Sequence, residues 1–144
     1  MEIDPNLIAE VKEPMKVARY NCSLALFRDR YIFALGGMVA KNNYTQSVEV
    51  YDIDTNQWYT GPSMERGRSH TSACVMSQRQ IYAFPGQATN SWSTIEFLDL
   101  GTNFDVKQLK AFKWQLLQVG NPDFVCSFAF GAFQISQNEI LLFG

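Results

Sequence analysis

The chain of 144 residues is poor in the groups that most chemistry needs. It has one histidine, His70, and a histidine-based zinc site requires further ligands at metal spacing, which are not there. There is no GxSxG, no P-loop and no GxGxxG. The three cysteines, Cys22, Cys74 and Cys126, are widely spaced and form no CxxC pair, which suits free buried thiols in a reducing compartment better than a disulfide framework. No apolar run reaches the roughly 18 residues of a membrane span, and the opening MEIDPN has no apolar core of a signal peptide. With no export signal, the sequons at Asn21 and Asn43 read as chance. Charged residues make up only 18%, which excludes a long solvated helix or a disordered charged tail. A net charge of −2 argues against a general nucleic-acid binder but leaves room for a local basic patch. No cofactor and no metal are expected.

What is abundant points to sheet: 47% hydrophobic and 14% aromatic residues. The runs NCSLALFRDRYIFALGG, SACVMSQRQIYAFPG and SFAFGAFQISQNEILLFG each read as a strand, a polar turn and a second strand ending at glycine. Gly37 to Gly86, Met15 to Met64 and Arg19 to Arg68 are all steps of 49 residues, and VEVYD at 48–52 returns as IEFLD at 95–99. A period near 50 built from short strands is the mark of a repeat architecture. The first unit predicts strands at 22–27, 31–35, 47–51 and 57–60. The second predicts 71–76, 80–84, 93–99 and 113–117, and a third begins with 125–133 and 139–143. Residues 4–12 carry the cap and spacing of a short helix, with an outer strand as the alternative.

The apolar run into Gly36-Gly37, the pair Tyr51-Asp52, Trp58, and Met64 followed by Arg68 together resemble the kelch repeat of β-propellers. The resemblance covers residues 14–144. It implies an all-β fold of four-stranded antiparallel blades, about two and a half blades of a larger propeller. Residues 1–13 are then an N-terminal segment, with blade one at about 15–61, blade two at about 64–118 and the start of a third at about 124–144. The second unit departs from the pattern: Pro85 replaces the first glycine, Leu98 replaces the tyrosine, and an inserted loop at 101–112 precedes Trp114. Gly36, Gly37 and Gly86 are expected where backbones approach closely. Pro85 is expected where no ladder donor is needed. Tyr51, Trp58 and Trp114 are expected to pack between blades. Arg19 and Arg68 recur in phase and read first as structural hydrogen-bond donors, and second as ligand contacts.

The remaining blades are expected from the same longer chain or from self-association, since an open stack leaves strand edges and blade faces unpaired. The face that binds partners in kelch propellers holds the loops between second and third strands and between blades. Here these supply Asn21, Lys41, Asn43, Tyr44, Arg66, Arg68, His70, Asn90 and Trp92 as candidate contacts for a protein partner. The inserted loop lies at the opposite end. It interleaves Lys107, Lys110 and Lys113 with Phe104, Leu109 and Phe112, as either a charged loop with apolar anchors or a second docking element. The leading expectation is a non-catalytic scaffold or adaptor, cytoplasmic and with the cytoskeleton as one setting, binding neither membrane nor nucleic acid. A structural component of a large assembly is the alternative. A fragment of a galactose-oxidase-like copper enzyme is the last, since the resemblance would demand two histidine ligands.

Overall fold

The computed structural model describes residues 9–87, 94–118 and 131–143. The chain forms short antiparallel strands throughout. β1 (Ser23–Phe27), β2 (Tyr31–Leu35), β5 (Val48–Asp52) and β6 (Gln57–Thr60) make one four-stranded sheet in the order β1-β2-β5-β6. β7 (Ala73–Met76), β8 (Gln80–Ala83), β9 (Thr94–Asp99) and β10 (Trp114–Gln118) repeat it. β11 (Gly131–Ser136) pairs with β12 (Glu139–Phe143). These small antiparallel sheets are consistent with the partial propeller blades that the resemblance implies, and the strand positions match the expected ones within about two residues wherever both are described. β11 is the exception: it runs three residues beyond its expected end, while 125–130 lie outside the described residues. Residues 9–13 form neither helix nor strand, and the rest of the expected N-terminal element lies outside the described part.

Two elements were not expected. Within the loop after β2, β3 (Met38–Ala40) and β4 (Asn43–Tyr44) form a small hairpin of their own. The inserted loop contains a 3₁₀ helix, Val106–Ala111, capped by Asp105, whose carboxylate accepts the Lys107 N–H at 2.9 Å.

The first hairpin turns show how local chemistry recurs. Arg28 and Asp29 in one blade, Ser77 and Gln78 in the next, all have φ near +50°, the left-handed pair that suits the twist of a two-strand connection. Each turn then ties to the next blade. Arg28 donates to Gln78 and to the Gly101 carbonyl, and the Ser77 N–H donates to Gln134. Alternation along β1 buries Ser23, Ala25 and Phe27 against the second blade and leaves Leu24 and Leu26 outward.

The main core lies between the first two blades. Phe27, Phe33, Leu35, Val50, Ile81, Leu98 and Leu100 are all essentially inaccessible there. Each such side chain contributes about 1.5–3 kcal/mol by leaving water. The inserted loop completes this core. Phe104 sits edge-on to Phe27 and Tyr31, with ring centres 5.3 and 5.0 Å apart, while Val106 and Leu109 are buried beside it. A smaller core of Cys74, Phe84 and Ala132 joins the second sheet to β11–β12.

Candidate functional site

The candidate face is assembled from backbone geometry at the ends of β2 and at the crossing between blades. Gly36 and Gly37 take φ of +62° and +96°, and a Cβ on either would run into backbone of Arg68 or Tyr20. This close approach lets the Gly37 N–H donate to the Arg68 carbonyl at 2.8 Å and the Gly37 carbonyl accept from Thr45 at 2.9 Å. Tyr20 and Met38 exchange a pair of backbone bonds, and the His70 N–H reaches the Asn21 carbonyl at 3.1 Å. Gly67 packs against the Tyr44 backbone. The loops at 20–22, 38–46 and 66–70 therefore form one hydrogen-bonded platform that spans two blades.

On that platform Asn21, Lys41 and Asn43 are exposed, with Lys41 and Asn43 at the tip of the β3–β4 hairpin. Tyr44, Arg66 and His70 are half-buried, and the His70 ring lies 3.1 Å from the Ser69 hydroxyl. Asn90 and Trp92 lie outside the described residues. Arg68 is fully enclosed, so its side chain offers no surface to a partner. Tyr20, absent from the sequence-based set, is 46% exposed beside Asn21 and belongs to the face. Its signal was available, because it stands 49 residues before Ser69 in the repeat.

Arg68 has another task. Its guanidinium donates to the carbonyls of Phe84 and Thr94 at 2.9 and 3.0 Å and to the carboxylate of Glu96. Glu96 also accepts the N–H groups of Glu65 and Arg66. The same clasp stands 49 residues earlier: Arg19 donates to Gly36 and Ser47 carbonyls and to Glu49, which accepts the N–H groups of Lys16 and Val17. Each clasp fastens the segment leading into a blade onto that blade's third strand. Burial pulls the Arg68 pKa below its usual value, against the opposing pull of Glu96. Pro85 takes the place of Gly36 in the repeat. The Ser47 carbonyl accepts from both the Gly36 N–H and Arg19, whereas Pro85 has no N–H and the matching carbonyl, Thr94, keeps the bond from Arg68.

The tryptophans divide the role expected of them. Trp114 is buried between the blades and donates to the Pro62 carbonyl at 2.9 Å. Trp58 packs on Tyr51 and donates to the Glu13 carbonyl at 2.7 Å, so among the described residues its cover is the N-terminal segment, not a second sheet. Cys22 and Cys74 are unpaired among the described residues. Burial raises the Cys22 thiol and pushes Cys74 up to about 11, so neither is a ready nucleophile at neutral pH. Cys126 lies outside the described residues. Among the described residues no three His, Cys, Asp or Glu side chains cluster to hold a metal, and no helix is long and apolar enough to cross a membrane.

Residues 18–65 match the family model of the Kelch motif. Kelch-like protein 38 of Homo sapiens is 36% identical over 75 residues, which is 52% of this chain and 13% of that protein. F-box/kelch-repeat protein SKIP20 of Arabidopsis thaliana is 30% identical over 104 residues, 58% of this chain and 24% of that protein. The chain thus spans under a quarter of either relative's length.

Proposed function

We propose that this chain, a member of the kelch-repeat family, is a non-catalytic protein-interaction scaffold that receives its partner on the platform of loops 20–22, 38–46 and 66–70. The observation that carries this reading is the hydrogen bonding of Gly37 to Arg68 and of Asn21 to His70, which makes one rigid surface of loops from two blades. Such a platform costs little ordering entropy on binding. Tyr20, Asn21, Lys41 and Asn43 stand exposed on it and combine an aromatic ring, amides and a cation, the mixture found at recognition surfaces. Arg66, Tyr44 and His70 line it at half depth. The expected partner surface carries acidic and carbonyl acceptors.

The test is affinity capture with the full chain and with Tyr20→Ala, Lys41→Glu and Asn43→Ala together. Partner recovery should fall by about tenfold, in line with the loss of one hot spot and one charge. Equal recovery of every partner by both proteins counts against the platform.

A second reading, a structural part of a larger assembly, is favoured by two outward apolar faces. Leu24 and Leu26 on β1 are 60% and 50% exposed, and Phe133 and Phe143 on the third sheet are 60% and 53% exposed. Molar mass in solution separates the two readings: a monomer that still captures its partner supports the scaffold alone.

A further inference from the structure

We propose a second docking site: the open edge of β6 takes an extended acidic peptide as an added strand. β6 is the last strand of its sheet, paired only with β5 among the described residues. Gly61 donates to the Val48 carbonyl, and the alternation of an antiparallel ladder then turns the bonding groups of Tyr59 and Gln57 inward to β5. The N–H and C=O of Trp58 and Thr60 therefore face away from the sheet, where they can pair with one more strand. Beside this edge runs a cleft of about 240 Å³ between β6 and the inserted 3₁₀ helix. Lys16, Lys107 and Lys110 line it together with Tyr59 and Thr60.

The charge of the cleft chooses the occupant. All three lysines are exposed, and none has an ion-pair partner among the described residues. The acids around it are otherwise placed: Glu49 accepts the Lys16 N–H within the Arg19 clasp, Asp105 caps the 3₁₀ helix, and Glu13 lines the neighbouring cleft around Trp58. Three unneutralised cations in a chain of net charge −2 form a local positive field, and carboxylates along an extended segment complement it. The segment's backbone supplies register and its alternate side chains supply specificity. Lysines also guard edge strands against aggregation, and that is the reading the experiment must separate.

The probe is a fluorescein-labelled peptide of about eight residues alternating threonine and glutamate, long enough to cover the strand. Its lysine counterpart and a version N-methylated at alternate amides serve as controls. The full chain should bind the acidic peptide about tenfold more tightly than either control, and more weakly as salt rises. Lys107→Glu with Lys110→Glu should remove that preference. Thr60→Pro, which deletes an outward N–H at an edge where proline is tolerated, should weaken binding with the melting temperature unchanged. Equal binding of the acidic and basic peptides, or indifference to the charge reversal, overturns the proposal and leaves the lysines as edge guards only. Equal binding of the N-methylated peptide overturns strand addition.

Discussion

The first two blades carry one plan and meet different neighbours, and the contrast shows what a neighbour does. Both fold the arginine clasp onto the third strand, through Arg19 with Glu49 and Arg68 with Glu96. Both pair the last residue of the hairpin turn with the end of the third strand, through Arg30 with Asp52 and Arg79 with Asp99. Both send a tryptophan N–H to the segment that precedes the blade, Trp58 to Glu13 and Trp114 to Pro62. Yet Trp114 is 4% exposed because another sheet lies against it, while Trp58 is only half-buried under a single extended segment. Local bonding is thus set within each repeat, and depth of burial is set by what packs on it.

The largest effect expected is at the clasps. Arg68→Met leaves Glu96 charged and wholly enclosed with its guanidinium partner gone, which costs about 3–5 kcal/mol, read as a fall in the urea midpoint. Arg19→Met strands Glu49 in the same way, since both side chains are enclosed, and should cost somewhat less than Arg68→Met only because the segment it fastens, 16–18, is exposed. Equal losses would mean that the inter-blade setting of the second clasp adds nothing.

Next comes the insertion that distinguishes the blades. Phe104→Ala removes the ring that fills the space against Phe27, Tyr31 and Phe33, and should cost about 2–3 kcal/mol, below the full value for a fully buried phenylalanine. A loss near zero would show that the loop rests on the core without supporting it.

The smallest effect is acid dependence. The bidentate bonds from Arg30 and from Arg79 hold Asp52 and Asp99 down at about 2. Both folded values lie below the unfolded one near 4, so the unfolded chain binds the protons first. Their stabilisation is complete above pH 4 and is lost as pH falls from about 4 to about 2, a drop of about 2 kcal/mol for the pair after allowance for the solvent around both arginines. Asp52→Asn and Asp99→Asn should each halve the drop. If Asp52→Asn leaves the acid transition unchanged, the two pairs are not equivalent.

How much of this was legible is clearest residue by residue. The strands of both full blades follow from alternation and turn residues, because a half-buried strand must place apolar groups at every second position. The diglycine showed where backbone passes closest, since no other residue tolerates the contact with Arg68. The arginines were visible as a repeated spacing. Their acceptors were not: Glu49 reads as one scattered carboxylate among many, although Glu96 repeats it 47 residues on. The inserted loop has no period that tells an anchor from a solvated side chain, so the burial of Phe104, Val106 and Leu109 and the 3₁₀ turn were hidden. Of the candidate face, the loops were identifiable and their contents partly so. Arg68 left the surface and Tyr20 joined it, because exposure depends on the chain segments that lie across a residue.

Taken alone, the order of residues determined which stretches pair into strands, where the turns fall and that the unit repeats. Those outcomes rest on interactions between near neighbours and on a period that any single blade expresses. Only the tertiary structure decided that both clasp arginines are sealed, which tryptophan is covered and which strand edge lies beside three lysines. Burial and accessible charge are properties of the surfaces that meet, and residues far apart in the chain supply those surfaces.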